Sequence, residues 1–454
     1  MAVFRRTIDR GFTGMDGKRK WGAVYQGNKY QTIVLGAGIA GLTAGHVLAE
    51  HNKEVVLFEK NDTYGGLCRS FCLDGFTFDT FAHVNFSKDS FVLSMMEAQV
   101  PYITHSPEAL NYYEGKWVRN PVQNNLIDLD VEERINILKD FVSRKSIPVN
   151  NYEDWLKQHY GIYFTTNYPA KYTRKYWTVE PGELEIKWVE GRMYKPSLEE
   201  VLRGAMTKET PNVHYSKEIH YPLKGGFQAF VEPAAKNLDI QTNKEAVYIN
   251  PNGHIIGFAD GSAAEYDNLI STIPLDRLVS CIVNIPEEVH NAARGLDYTY
   301  GVLVSIAIKK PRCAPSLWFY IYDENIWPAR VYAPEIKSSN NVPSGYSALQ
   351  AEVYFSKHRP RKVQLDDIKK KTIEQLQRMK LFKENDILFA DVREEPYANI
   401  MFTPEIYKNR EIIHRYLDNL GIVYAGRFGE WDYLWTGQSV LSGKQAAEKI
   451  LFRA

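Results

Sequence analysis

The sequence predicts an α/β fold: a Rossmann-type parallel sheet, interrupted by an inserted helical domain and by an antiparallel β-sheet domain. Three observations carry that expectation. The apolar strand Thr32-Ile33-Val34-Leu35 runs directly into glycines at 36, 38 and 41, spaced G-x-G-x-x-G, where a helix begins. A Tyr-rich stretch from about 130 to 208 has helical apolar spacing, as in Asp154-Trp155-Leu156 and Leu198-Glu199-Glu200-Val201-Leu202. From 300 to 360, Val, Ile, Tyr and Phe alternate with the period of antiparallel strands.

Taken in chain order, residues 1–28 are basic, with Arg5, Arg6, Arg10 and Lys18-Arg19-Lys20, and read as a flexible arm. Residues 29–104 form the first part of the dinucleotide unit. Gly36 makes the tight turn, Gly38 lets the backbone approach a pyrophosphate, and Gly41 lets helix and strand pack closely. The helix N-terminus then offers N–H groups to the phosphates. Val55-Val56-Leu57-Phe58 ends at Glu59-Lys60, and Glu59 is placed to accept hydrogen bonds from an adenosine ribose, which disfavours a 2′-phosphate. In the following Tyr64-Gly65-Gly66-Leu67-Cys68-Arg69, the paired glycines allow a second backbone approach and Arg69 brings a cation.

Residues 105–208 are expected to be the mostly helical insertion, with substrate contacts. The second part of the dinucleotide unit, 209–278, holds a hairpin around Asn252-Gly253 and a returning strand near Tyr266–Ile273. An antiparallel-sheet substrate domain follows over 279–418. The third part, 419–454, closes the chain with the short strand Ile422-Val423-Tyr424-Ala425, then Gly426-Arg427-Phe428-Gly429 and a last helix.

Composition narrows the function classes. With 454 residues and 44% hydrophobic content the chain can bury more than one core. Lys plus Arg and Asp plus Glu both total 55, so no net field favours nucleic acid, and an anionic substrate must meet local cations. No apolar run suits membrane insertion or a secretory leader, so the expected location is cytoplasmic. Four cysteines, at 68, 72, 281 and 313, are too scattered for a disulfide framework; Cys68 and Cys72 read either as a redox pair or as thiols packed beside a cofactor. No Cys/His cluster has metal-site spacing, and homo-oligomerisation is left open.

The segment from Gly36 to Arg69, with Gly75-Phe76-Thr77-Phe78-Asp79 and His83 beyond, resembles the extended FAD fingerprint of the amine oxidase and protoporphyrinogen oxidase superfamily, which includes the UDP-galactopyranose mutases. Trp117-Val118-Arg119-Asn120-Pro121-Val122-Gln123-Asn124-Asn125 is similar to the mutases' W-V-x-x-P-x-Q-N-N segment, and Lys175-Tyr176-Trp177 with Trp188 and Arg192 to their K-x-W and W-x-x-x-R pair. Trp318-Phe319-Tyr320 with Arg330 resembles their phosphate-binding strand pair. Gly426-Arg427-Phe428-Gly429-Glu430-Trp431-Asp432-Tyr433, with Gln438 beyond, resembles their G-R-F-G-x-W-x-Y…Q signature.

The resemblance implies that FAD in its reduced form interconverts pyranose and furanose forms of a nucleotide-diphosphate sugar through a flavin N5–sugar adduct, with no net redox change. An external reductant would keep the flavin reduced. Arg192 and Arg330 would clamp the diphosphate, as guanidinium forks suit phosphate oxygens, and Tyr320 and Tyr433 would donate to it. Trp177 would line the same site. His83 would lie near the flavin, with Gly36, Gly38, Gly41, Glu59, Lys60, Gly66, Leu67, Arg69, Gly426, Arg427 and Gln438 holding the cofactor. Three departures stand out. Phe81-Ala82 stands where the mutases carry Gly-Gly or Gly-Ala before the histidine, so Phe81 replaces a glycine, and Ala398, after Tyr397, stands where they carry a phosphate-binding tyrosine. Asn120 stands where the longer, eukaryotic-type members carry an aromatic that stacks on the base, and Val122 replaces another aromatic. The competing class is an FAD-dependent amine oxidase or dehydrogenase acting on a small molecule.

Overall fold

The computed structural model describes residues 28–106, 108–211, 213 and 217–453, so the expected basic arm lies outside it except for Asn28. Lys29–Leu35 forms the middle of a seven-stranded sheet, parallel to Val55–Phe58 on one side and to Ala263–Ser271 on the other. Its inner residues Ile33, Val34 and Leu35 are buried, as expected of a strand covered on both faces. Asp239–Gln241 extends the parallel edge beyond Val55–Phe58. The hairpin expected around Asn252-Gly253 is Ala246–Asn250 with Ile255–Phe258, and it adds to Ala263–Ser271 in antiparallel sense. Val423–Tyr424 lies parallel to the end of Ala263–Ser271, and the helices Ile39–Glu50 and Thr436–Leu451 pack together over one face.

The second sheet also has seven strands, in the order Ile387–Met401, Asp297–Ile308, Ser347–Ser356, Arg330–Tyr332, Trp318–Ile321, Leu110–Tyr113, Lys116–Arg119. All neighbours are antiparallel except Trp318–Ile321 with Leu110–Tyr113. This corrects the expected helical insertion over 105–208. Its first residues are a hairpin turning at Glu114-Gly115, both at positive φ, that extends the substrate-side sheet. Helices begin only at Val131–Ser143 and continue through Tyr152–Tyr160, Ile162–Asn167, Pro169–Tyr176 and Leu198–Met206. The last starts at a capping box between Ser197 and Glu200. The expected antiparallel domain over 279–418 is mixed as well: Val289, Ile406 and Ile413 from its helices share a core with Ile33 and Leu35 of the parallel sheet. Among the described residues no helix is long and apolar enough to cross a membrane.

A buried charge gathers several of the connecting segments beside the second sheet. Asp79, at the end of strand Phe76–Asp79, meets Lys337 Nζ at 2.7 Å, and each side chain is 1% exposed. Tyr221 Oη, Ser70 Oγ and the Phe227 N–H also donate to this carboxylate, at 2.9, 2.8 and 2.8 Å. Lys337 lies over the Tyr332 ring, 3.8 Å from its centroid. Removing one partner of such a pair leaves an uncompensated charge in low dielectric. Asp79→Ala is therefore expected to lower unfolding stability by about 3–5 kcal/mol, read as a lower urea midpoint with unchanged m-value.

Candidate active site

A cleft runs from the glycine turn of the parallel sheet to the inner face of the antiparallel sheet. At the first end Gly36 has φ +93°, and a Cβ there would meet Thr272 Oγ1 at 2.5 Å. A Cβ on Gly41 would lie 2.0 Å from the Gly36 carbonyl oxygen, so this residue serves helix–strand packing and does not itself line the cleft. Gly38 differs from both. Its φ of −74° suits any residue, and the nearest atom to an added Cβ is Gly66 Cα at 3.8 Å. The helix it begins has no side-chain cap and no acidic residue in its first turn, leaving the N-terminal N–H groups suited to an anion.

Glu59 is buried and shaped by its neighbours. One carboxylate oxygen accepts the Ala37 N–H at 2.9 Å, and the other accepts Asn61 Nδ2 at 2.6 Å and the Asn61 N–H at 3.0 Å. A carboxylate has about four acceptor positions, so room for a ribose hydroxyl is retained. Lys60, Gly66, Leu67 and Arg69 line the cleft beside it. Arg69 is more structural than foreseen: Nε donates to the Gly66 carbonyl at 2.9 Å and Nη2 meets both Glu395 oxygens at 3.3 Å, tying the glycine loop to the antiparallel sheet.

The other end is walled by Phe81, Ala82, His83, Tyr176, Arg330, Tyr354, Ala398, Asn399, Gly426, Arg427 and Tyr433. His83 packs on Phe227 with ring centroids 5.3 Å apart. Burial, aided by the Lys337 and Arg330 cations, pushes its pKa down to about 4, so the imidazole is neutral at neutral pH. Arg330 forks onto Glu352, with Nε and Nη2 at 2.8 and 3.0 Å. Glu352 is fully buried and also accepts the Ala82 N–H at 2.9 Å and the Tyr354 hydroxyl.

Tyr433 carries guanidinium groups against its ring, Arg192 at 4.2 Å and Arg427 at 4.7 Å. Arg192 also donates to the Tyr433 carbonyl and lies over Trp435. Burial pushes the Arg192 pKa down, and Arg427 adds to this. Asn399 Oδ1 accepts from Arg427 Nη2 at 3.1 Å and from Tyr176 Oη at 3.0 Å. Among the described residues, Arg192 Nη1 and Arg427 Nε are buried donors with no acceptor. The open glycine cradle at one end suits the phosphates of a dinucleotide, and at the other Arg427 lines the cleft with a donor left unmet among the described residues, while Arg192 stands behind it.

Several expected residues lie elsewhere. Trp177 is buried behind Tyr433, with rings 6.0 Å apart, and Arg192 likewise stands one ring back from the cleft. Tyr320 does not line the cleft: its hydroxyl accepts from Trp318 Nε1 at 3.1 Å and its ring meets the edge of Tyr172. Gln438 Oε1 accepts the Trp435 N–H at 2.9 Å and so caps the last helix. Tyr397 does not replace the hydroxyl absent at Ala398, because its own goes to Asp276 at 2.9 and 3.1 Å. Cys68 is a buried thiol pushed up to about 12 by burial, Cys72 is exposed, and both are free, which favours packing over a redox pair.

Tyr176, Tyr354, Asn399 and Glu352 escaped the sequence reading. Only Glu352 left a signal there, as a lone acid within the apolar Leu349–Phe355 run.

The cradle geometry separates two glycine variants. Gly38→Val points into open cleft and is expected to fold normally yet lose the dinucleotide, read as loss of flavin absorbance with unchanged far-UV circular dichroism. Gly41→Ala drives its Cβ into the Gly36 carbonyl and is expected to destabilise the fold itself, read as a lower thermal midpoint.

Comparison with known proteins agrees with this geometry. The model of the NAD(P)-binding Rossmann-like domain matches residues 34–97, and that of flavin containing amine oxidoreductases matches 150–451. The structure of a reduced UDP-galactopyranose mutase superposes with a TM-score of 0.87 at 26% identity, over 93% of this chain and 96% of that one. A putative protoporphyrinogen oxidase from Exiguobacterium sp. 255-15 shares the fold at a TM-score of 0.71 and 14% identity, over 94% of this chain and 99% of that one.

Sequence matches to curated proteins are short. They reach 56% identity over 41 residues with the UDP-galactopyranose mutase of Mycoplasma pneumoniae, covering 9% of this chain and 10% of that protein. With the all-trans-retinol 13,14-reductase of Rattus norvegicus they reach 40% over 55 residues, covering 12% and 9%. They thus span about a tenth of the length of these relatives. The two family matches together imply a flavin cofactor, and since the second covers most of a chain whose glycine cradle and two-sheet cleft suit one, the protein belongs to the flavin containing amine oxidoreductase family.

Proposed function

We propose that the protein is an FAD-dependent, mutase-like enzyme that interconverts the pyranose and furanose forms of a nucleotide-diphosphate sugar, with the flavin reduced and no net redox change. The observation that carries this reading is the cation cluster around Tyr433. Arg427 and Arg330 line the cleft, Arg192 stands one ring behind, and among the described residues Arg427 Nε and Arg192 Nη1 are buried without acceptors. Phosphate oxygens are the acceptors such forks suit. The near-full-length likeness to a reduced UDP-galactopyranose mutase supports the same choice.

When bound, reduced FAD supplies the nucleophile that exchanges with the diphosphate at the anomeric carbon. The chain's own residues do the rest. The Gly38 turn and Glu59 hold the dinucleotide, and Arg69 fixes the glycine loop. Arg330 spends Nε and Nη2 on Glu352, so its Nη1 edge is what it offers a departing phosphate. Negative charge building on that leaving group is stabilised by donors already in position. Trp177 backs Tyr433, and neutral His83 can hydrogen-bond but does not act as a cationic acid at neutral pH. An external reductant would keep the cofactor reduced.

A second reading, oxidation of a small molecule such as an amine, is favoured by one feature. Glu352 neutralises Arg330 within the protein, leaving the wall of Phe81, Tyr354 and Tyr176 aromatic and without net charge. An anaerobic assay separates the two. The flavin-loaded enzyme, oxidised or dithionite-reduced, is offered UDP- and dTDP-hexopyranoses and the products are resolved by chromatography. Furanose formed only with reduced flavin is the expected result. No furanose, with flavin bleached by an amine and restored by air, would establish the second reading. Arg330→Lys keeps the charge against Glu352 but loses the fork, and kcat is expected to fall by about 10²–10³-fold with the flavin still bound.

A further inference from the structure

Phe81 has a backbone conformation that its side chain should avoid. Its φ is +63°, in the left-handed region that bulky residues rarely enter and that, when occupied, tends to mark functional sites. The surroundings are built to hold it there. Its ring stacks on Tyr354 with planes 6° apart and centroids separated by 6.0 Å. Across the strand Asp297–Ile308, Gly301 leaves the room the ring needs: a Cβ at 301 would lie 2.5 and 2.6 Å from Phe81 Cε1 and Cζ. Ala398 completes the same small cluster, its Cβ 3.7 Å from that position. The next residue is pinned as well, because the Ala82 N–H donates to Glu352. Phe81, Gly301 and Ala398 therefore act together: two small residues make room and one aromatic ring fills it.

The result is an apolar stretch of wall beside Arg330, since the Tyr354 hydroxyl within it is given to Glu352. Phe81, Tyr354 and Ala398 line the cleft, while the adjacent charges, Arg330 and Glu352, are spent mainly on each other. A substrate hydroxyl pressed against this wall would lose water without gaining a partner. We infer that Phe81 is a specificity-determining residue, and that the part of the substrate meeting it is a deoxygenated carbon, so that a deoxyhexose is taken in preference to the fully hydroxylated hexose. This rests on the nucleotide-sugar reading above.

The test compares dTDP-6-deoxyhexopyranose with the dTDP-hexopyranose of the same configuration, using the reduced, flavin-loaded enzyme and kcat/KM for each. An apolar pocket rejects an added hydroxyl by about 100-fold, and that preference is expected in the native protein. Phe81→Gly relieves the left-handed backbone, so it should fold, and it should bring the ratio of the two kcat/KM values close to one. Gly301→Ala, which displaces the ring, should lower the ratio in the same direction, and adding Phe81→Gly to it should restore the thermal midpoint that Gly301→Ala loses.

A purely structural role for Phe81 would alter both substrates equally and leave the ratio unchanged. Turnover of both sugars with no preference, or a preference that survives Phe81→Gly, overturns this inference while leaving the mutase reading intact. Absence of turnover with every nucleotide sugar overturns that reading, and the inference with it.

Discussion

The buried carboxylate of Asp79 is the constraint on which the rest of the architecture depends. It gathers donors from the Ser70–Leu73 strand, from strand Ile219–Pro222, from the turn at Phe227 and from the short helix ending at Lys337. Those segments are strands of two two-stranded ribbons, a turn and a helix, none of them a strand of either seven-stranded sheet. Its backbone is held too, since the Asp79 N–H donates to Tyr332 Oη at 2.8 Å. In low dielectric an ion pair is tolerated only when its remaining lone pairs are also met, and here they are. The loop that leaves Asp79 thus starts from a fixed point, and Phe81, Ala82 and His83 inherit their positions from it.

A second buried acid works on the far side of the cleft in a different way. Glu352 collects Arg330, Tyr354 and the Ala82 N–H, and so turns a potentially cationic wall into a neutral one. Around Tyr433 the opposite holds. Arg192 and Arg427 face one ring, and two of their donors find no acceptor among the described residues. In a chain with no net charge, this local imbalance is the feature that can select an anion. The cleft is therefore divided into an apolar, charge-balanced part near Phe81 and a part near Tyr433 lined by Arg427 and backed by Arg192. The fold itself hosts many chemistries, so it is this division that narrows the choice.

Much of the architecture was legible before any coordinates. The strand, turn and helix at G-x-G-x-x-G, the Asn252-Gly253 hairpin and the returning strand were read correctly because each rests on interactions within a short stretch or on a strict strand period. The hairpin Leu110–Arg119 was missed for a contrary reason. Its turn at Glu114-Gly115 is a local signal, but the helical pattern that follows dominated the window, and only pairing with Trp318–Ile321 makes it part of the sheet.

What the sequence determined by itself is the class of cofactor site and the inventory of cations and aromatics that could meet a substrate, because backbone turns and strand periods are set by nearby residues. What only the tertiary structure decided is which of those side chains reach the cleft. Trp177 and Tyr320 turned into packing partners, Gln438 became a helix cap, and Tyr397 gave its hydroxyl to Asp276. Arg69 found Glu395 and Arg330 found Glu352, partners far away along the chain or on the neighbouring strand. Long side chains go where burial leaves an unmet partner, and that is a property of the packed sheets rather than of any local run of residues.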